Sequence, residues 1–304
     1  MNPSATGFTA TSDQADRRLD RVLRGLFRDV PLGAIMKAIR KGDVRLNGAR
    51  TSIDTRLSKG DLVSVPWNDQ HRNHLTRRTA GPEKKLATLF RNDDLWCVDK
   101  PAGLLSQPDR AGGDSVITRA WELLGWHRQD FRPALIGRLD RNASGVEAIA
   151  MNAPALRALS EAMREGKINK IYAAVVLGDA PDAGEIDFPL IKDPRKNIVR
   201  AARGGEKGLF AFTRFKKLSG NGKYSLLEVN LITGRSHQAR VHLASAGYPI
   251  VGDTKYGLRG ARGIHRIMLH AQKISFSPDV RPDGLRGLEV ASPLPDNFGK
   301  LSKK

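Results

Sequence analysis

The stretch Ile136-Gly-Arg-Leu-Asp-Arg-Asn-Ala-Ser-Gly-Val146 constrains this chain more than any other. Its polar centre lies between two apolar runs, Ala134 to Ile136 before it and Val146, Ala148, Ile149 and Ala150 after it. The second run is short and alternates imperfectly, which is the pattern of a buried strand. Asp140 is therefore expected on a polar turn at the mouth of that strand. Arg138 and Arg141 flank it, and neighbouring guanidiniums favour the ionised carboxylate. Taken alone, the same pattern also fits an aspartate that caps a turn or joins a surface ion pair.

Length and charge bound the rest. The 304 residues suffice for about two domains with a substantial core. Lysine and arginine number 51 against 32 acids, a net charge of +19, which points to a polyanionic partner, nucleic acid before anionic membrane. No apolar run is long enough to span a bilayer, and residues 1–18 lack the basic-then-apolar order of a signal peptide. The single cysteine, Cys97, excludes an intramolecular disulfide and fits a reducing compartment, the cytoplasm being the simplest.

Residues 1–16 are rich in Ser, Thr and Asn and read as a disordered tail. Leu19, Val22, Leu23 and Leu26 then recur at helical spacing, and a second amphipathic helix carries Leu32, Ile35, Met36 and Ile39. Val44 to Gly48 reads as a strand ending in an Asn-Gly hairpin turn, and Leu62 to Pro66 as another strand. Residues 17–67 thus form a small first domain. Arg18, Arg21, Lys37, Arg40, Lys41 and Arg45 stud its helices and hairpin, a distribution suited to RNA phosphates. Residues 68–83 are polar and basic and read as a linker. His71 and His74 lie there without cysteines or an acidic cluster, so no metal site is expected.

A second domain is expected over residues 84–298. It opens with the apolar strand Leu95 to Asp99 running into Lys100-Pro-Ala-Gly103, followed by a helix over 115–124. After the Asp140 stretch come a strong helix over 153–165 and a strand, 167–177, that carries Tyr172. A tyrosine in a strand is ordinarily a packing residue. Residues 191–207 read as a basic loop, and the strand Leu226 to Ile232 delivers Thr233-Gly234-Arg235. His237 precedes a helix over 238–246. It stands five residues from His242, a poor spacing for holding one metal, so both read as packing or RNA contacts. A loop at 251–257, a strand from Met268 and the run Ser292-Pro-Leu-Pro295 close the domain, before a basic tail at 299–304. The chain contains no repeat, heptad run, Walker loop or dinucleotide fingerprint.

In order, Arg-Leu-Asp140 followed by Ser-Gly, Lys-x-Tyr172 opening an apolar strand, and Thr-Gly-Arg235-Ser-His-Gln-Ala-Arg-Val-His242 resemble the motifs of the RluA-type family of RNA pseudouridine synthases. Arg18-Leu-Asp20 and Ile39-Arg-Lys-Gly-Asp-Val-Arg-Leu-Asn-Gly48 are similar to the S-four type of RNA-binding domain, which often precedes RluC- and RluD-like catalytic domains. The resemblance implies an α+β protein. A small S-four-like domain would be followed by a catalytic domain with a long, mainly antiparallel mixed sheet flanked by helices. It implies an isomerase that needs no cofactor or metal and acts on RNA, with large-subunit ribosomal RNA ahead of tRNA; a monomer is expected.

By the same resemblance Asp140 is the nucleophile, Arg235 its ion-pair partner, and Tyr172 the residue against the uracil that serves as base or proton relay. Arg138 would fill the space left by the flipped base, and Leu269 would line the pocket. Gly137, Asn142-Ala143 and Ala239 depart from the family pattern at positions that often hold a histidine, a polar residue with threonine, and a longer aliphatic. Two other readings compete. A glycosidic hydrolase would need a second carboxylic acid as proton donor. A non-catalytic ribosome-assembly factor would use the same basic surfaces.

Overall fold

The computed structural model describes residues 6–12, 14–27, 30–67, 85–109, 113–126, 131–194, 196–257, 264 and 266–302. The expected linker, 68–83, lies outside them, as do His71 and His74. The chain forms two compact units. One comprises residues 1–84 with 120–133 and 151–156, and the other residues 85–119, 134–150 and 157–304.

In the first unit, helices α1 (Leu19–Leu26) and α2 (Leu32–Lys41) bury Leu19, Val22, Leu23 and Leu26, and Ile35, Ala38 and Ile39. These are the positions that the 3.6-residue period selects. Gly42 ends α2 in the left-handed region, where its N–H reaches back to the last turn. The strands are β1 (Thr6–Thr9), β2 (Arg45–Leu46), β3 (Ala49–Arg50) and β4 (Leu62–Val65), in the order β1-β4-β2-β3. Asn47 and Gly48 both have positive φ, as a two-residue turn between β2 and β3 requires.

The expected tail of residues 1–16 is corrected here, because Thr6–Thr9 pair antiparallel with β4. The open edge of β4 offers unpaired backbone groups, and backbone pairing leaves no mark on side-chain composition. Segment 120–133, read as part of the second domain, groups with the first unit. There Arg132 lies 3.5 Å from the Trp121 ring centre, and the Trp121 indole donates to the Pro133 carbonyl at 2.8 Å.

The second unit is built on a long mixed sheet. Its strands are β5 (Ala87–Arg91), β6 (Leu95–Lys100), β7 (Ala134–Leu135), β8 (Ser144–Ala150), β9 (Ile168–Leu177), β10 (Ala183–Ile186), β13 (Thr213–Gly220), β14 (Tyr224–Leu231), β15 (Leu269–Phe276) and β16 (Glu289–Ala291). The main path runs β10-β13-β14-β9-β15-β8-β6-β5, with β7 on β8 and β16 on β15. Every pairing is antiparallel except that between β15 and β8, so the sheet is mixed and mainly antiparallel, as expected. Among the described residues the further helices are α3 (Val116–Leu123), α4 (Ala153–Arg164), α5 (Gln238–Ser245) and α6 (Asp296–Ser302), with a 3₁₀ turn at Asp283–Leu285.

Two readings of this half are corrected. The basic loop at 191–207 contains a hairpin, β11 (Leu190–Asp193) against β12 (Ile198–Ala201). Its charges mask the apolar Leu190 and Val199, which are buried with Ala211 and Val241. The basic tail at 299–304 is helical through Ser302, held by the fully buried Phe298. None of the described helices is long and apolar enough to cross a membrane.

The parallel contact of β8 with β15 fixes where the Asp140 loop ends. Gly145 sits opposite Ala271 at a φ of +110°, and a Cβ there would collide with the Ala271 backbone. Gly145→Ala should destabilise the fold by roughly 3 kcal/mol or more, since overpacking and left-handed strain add. Urea denaturation of the purified variant checks this, and an unchanged midpoint would refute the close-approach argument.

Candidate active site

Asp140 stands on the loop that joins β7 to β8, and buried polar groups clamp that loop from beneath. Lys100, at the end of β6, is fully buried and donates to three carbonyls: Pro101 and Arg141 at 3.0 Å each and Ala143 at 2.6 Å. Three donors meet three acceptors, so the ammonium is satisfied within the fold. Gly103 N–H donates to the Arg141 carbonyl at 2.8 Å, and Arg141 Nε donates back to the Gly103 carbonyl at 3.1 Å. Leu139 N–H lies 3.1 Å from both Ser106 Oγ and Glu147 Oε1, and Ser106 Oγ donates to the Leu139 carbonyl at 2.9 Å. The residues on either side of Asp140 are thus fixed through their backbones.

The supporting charges feel their burial. Burial pushes Lys100 down to about 8, against the pull of Glu147 and Asp140. It raises the Glu147 carboxyl, which the hydrogen bond from Leu139 N–H and the charges of Lys100 and Lys170 oppose. Burial pushes the Cys97 thiol up to about 12, which leaves it unreactive. Gly137, one of the departures from the family pattern, faces the Lys170 ammonium, which stands where a Cβ would be.

The partner of Asp140 is Arg240. Arg240 Nη1 donates to Asp140 Oδ2 at 2.8 Å, while its Nε and Nη2 donate to Asp253 Oδ2 and Oδ1, also at 2.8 Å each. Asp253 is buried and further accepts the N–H groups of Lys255 and Tyr256 at 3.0 and 3.2 Å. Burial pushes the Asp253 carboxyl up, but the Arg240 hydrogen bonds and charge outweigh it and hold it below the usual carboxylate range. Arg240 itself stays cationic: its two carboxylate partners overcome the opposing effect of burial.

This corrects the expectation that Arg235 pairs with Asp140. Arg235 lies in the turn before α5, and its Nε donates to the Phe210 carbonyl at 2.8 Å. Arg240 lies within α5, where side chains lean toward the helix N-terminus and so return to the loop that holds Asp140. Nor do Arg138 and Arg141 supply the pairing. Arg138 is exposed at the rim of the cavity, and Arg141 is tied to Gly103.

A cavity of about 680 Å³ opens above Asp140. Arg138, Asp140, Tyr172, Arg235, Arg240 and Leu269 all line it, so the structure brings together every residue expected at the catalytic site and adds Arg240. Tyr172, on β9, is 7% exposed. Its phenol pKa is raised by burial and then by the negative charges of Asp140 and Glu147. Leu269 begins β15 and is 5% exposed. His237 also lines the cavity, with Nε2 at 3.7 Å from Asp140 Oδ1 and Nδ1 at 2.6 Å from the Tyr256 hydroxyl. From sequence His237 reads as a packing or RNA-contact residue, and Arg240 has no role of its own. The signal for Arg240 is its place in the motif, since a helix that starts at Gln238 carries it in the first turn, next to the Thr233-Gly234-Arg235 turn.

The residues expected to contact RNA in the first unit differ among themselves. Arg21, Lys37, Arg40, Lys41 and Arg45 are exposed. Arg18 is half-buried and pairs with Asp20 at 3.1 Å and Asp54 at 2.6 Å, so its charge serves the fold.

Comparison with known proteins shows the family of the chain. Residues 94–245 match the family described as RNA pseudouridylate synthase. The chain is 31% identical over 302 residues to ribosomal large subunit pseudouridine synthase C of Vibrio vulnificus, covering 95% of this chain and 93% of that one. It is 32% identical over 305 residues to the protein of that name from Yersinia pestis, covering 96% and 93%. Among solved structures, the human RNA pseudouridylate synthase domain containing 1 superposes with a TM-score of 0.58 at 22% identity, over 70% of this chain and 85% of that one, which shows a shared fold. By this full-length similarity the chain belongs to the RluA-type RNA pseudouridine synthases, isomerases that convert uridine to pseudouridine.

Proposed function

We propose that this chain isomerises specific uridines of large-subunit ribosomal RNA, with Asp140 as the nucleophile acting on a base flipped out of the RNA. The observation that carries this reading is the carboxylate of Asp140, held at 2.8 Å by Arg240 at the cavity that the buried Tyr172 also lines. The relatives, each named a ribosomal large subunit pseudouridine synthase and matched over nearly their whole length, support the choice of substrate.

The reaction breaks the bond between uracil N1 and ribose C1′, turns the base, and joins C5 to the same C1′. The C5 proton leaves and N1 takes one up, so atoms and electrons balance without any redox partner. Asp140 needs a fixed direction and a standing negative charge, and the guanidinium supplies both because it does not deprotonate. Tyr172 keeps its proton, since burial and nearby carboxylates hold the phenol neutral. Its role is therefore to stack on the uracil and relay a proton rather than to act as a free phenolate. Leu269 forms an apolar wall, and Arg138 at the rim takes the space of the extruded base, offsetting part of the few kcal/mol that flipping costs. A hydrolase would need a protonated carboxylic acid. Asp253 is unsuited to that task, being locked to Arg240 and held ionised.

The first unit serves as an S-four-like module that grips RNA phosphates through Arg21, Lys37, Arg40, Lys41 and Arg45, and it places the enzyme more than it reads sequence. A single buried cysteine suits work in the reducing cytoplasm.

Tritium release from RNA labelled at uridine C5 tests the reading. Wild-type protein should release tritium from unmodified large-subunit rRNA and not from bulk tRNA. Asp140→Asn should abolish release while RNA affinity stays within about twofold, because it removes the nucleophile and leaves the basic surface intact. Tight binding without release by the wild type would favour an assembly factor instead. Arg240→Lys should lower the rate by roughly 10²–10³, the cost of breaking a buried charge network. Arg235→Lys should cost less than about tenfold, because its guanidinium donates to the Phe210 carbonyl and, among the described residues, pairs with no carboxylate. The reverse ranking would restore Arg235 as the partner. RNA affinity should also fall with salt, with a log–log slope of about −0.7 per single-strand phosphate contacted. A flat response would remove the basic-surface argument.

A further inference from the structure

The hairpin β11–β12 and the catalytic carboxylate are joined by a chain of polar groups that the reaction scheme does not use. Val199 N–H, in β12, donates to the Tyr256 hydroxyl at 2.8 Å. That hydroxyl stands 2.6 Å from His237 Nδ1, and His237 Nε2 faces Asp140 Oδ1 at 3.7 Å. The polarity of the chain follows from its two ends, an amide donor at Val199 and a carboxylate oxygen at Asp140. An amide can only donate, so the phenol oxygen accepts from Val199, and its own proton is left free to point to Nδ1. A neutral imidazole that accepts at Nδ1 carries its proton on Nε2, the atom aimed at Asp140. The opposite tautomer would set a lone pair against a carboxylate. Burial and the cations Arg240, Lys255 and Lys192 keep the ring neutral, against the pull of Asp140.

We propose that Tyr256 and His237 are positioning residues that transmit the seating of the β11–β12 hairpin to Asp140. Arg240 already holds Oδ2, and Oδ1 is the oxygen that His237 faces and that a second donor would secure. The 3.7 Å gap is too long for a hydrogen bond, and a shift of roughly 0.5–1 Å closes it. His237 keeps φ +53° and ψ +19° immediately before α5, a conformation that side chains other than glycine rarely adopt and that aims the ring into the cavity. The hairpin is suited to sensing RNA: Lys192 and Asn197 line the cavity, and Arg200 is exposed on β12. A second tie, from the Lys255 ammonium to the Asn197 carbonyl, couples the hairpin turn to the loop that carries Tyr256. RNA phosphates that draw the hairpin inward would thus move the phenol and imidazole together and complete the hold on Asp140.

This proposal rests on Asp140 as the reacting carboxylate, and single-turnover tritium release with four variants separates the two ideas. Tyr256→Phe keeps the ring, which packs against His237 and lies under Arg240, and removes only the hydroxyl. It should lower the rate constant about tenfold with half-saturating RNA concentration unchanged within twofold. His237→Asn tolerates the same backbone conformation and deletes the Nε2 donor, and it should cost at least as much. Because the two residues act in series, Tyr256→Phe/His237→Asn should be no slower than His237→Asn alone. Assays are run below each variant's melting transition, so that loss of fold does not enter. A wild-type rate for Tyr256→Phe, losses that multiply in the double variant, or a change confined to half-saturation would overturn the relay. Asp140→Ala is measured alongside. If it is active, the nucleophile reading fails. If it is inactive while Tyr256→Phe is normal, only the relay fails.

Discussion

The site depends on one guanidinium shared between two carboxylates. Arg240 spends two of its donors on the buried Asp253 and turns a third to Asp140. The first pair is the anchor: it is planar, two-pronged and shielded from water, so the fork has little freedom left. Asp253 is held in turn by the backbone N–H groups of its own loop. The direction of Asp140 is therefore inherited from a buried ion pair on the opposite side of the arginine. An isolated surface pair would hold the carboxylate far less firmly, because water competes for each member.

The loop beneath Asp140 shows the same economy. Lys100 is buried at a cost that its lowered pKa records, and three carbonyls of the surrounding turns accept its hydrogen bonds. Glu147 is buried in β8 and spends one oxygen on Leu139 N–H. Neither group touches the cavity, since neither is among its lining residues. Their effect is to fix the backbone on both sides of the aspartate. The substituted Gly137 belongs to this layer, where the Lys170 ammonium takes the room that a side chain would fill. The departure from the family's usual histidine is thus matched by a neighbour and leaves no void.

Charge is divided between two tasks. Much of the excess of lysine and arginine stands exposed, as Arg21, Lys37, Arg40, Lys41 and Arg45 do on the first unit. Part of it is absorbed internally: Arg18 goes to Asp20 and Asp54, Arg200 to Glu206, and Lys100 to backbone carbonyls. Net charge alone therefore overstates the surface offered to a polyanion. Arg200 still lies exposed beside its partner, in the high dielectric where a phosphate competes on equal terms.

The sequence by itself determined the elements and most of the members of the site. Helical periodicity placed α1, α2 and α4, the Asn47-Gly48 pair placed the first hairpin, and the apolar run after Asp140 placed β8, all within a few residues. Local patterns encode such features because each depends on neighbours along the chain. Tertiary structure alone decided which arginine meets Asp140. Arg235 and Arg240 are five residues apart in one motif, and only the turn into α5 and the position of Asp253 choose between them. It decided that Thr6–Thr9 form an edge strand, that the basic stretch near Arg200 folds into a hairpin, and that Lys100 and Glu147 lie under the loop. In each case the deciding partner is a backbone group or a side chain distant in sequence. Such pairings are set when the strands are brought into register, and residue order leaves them open.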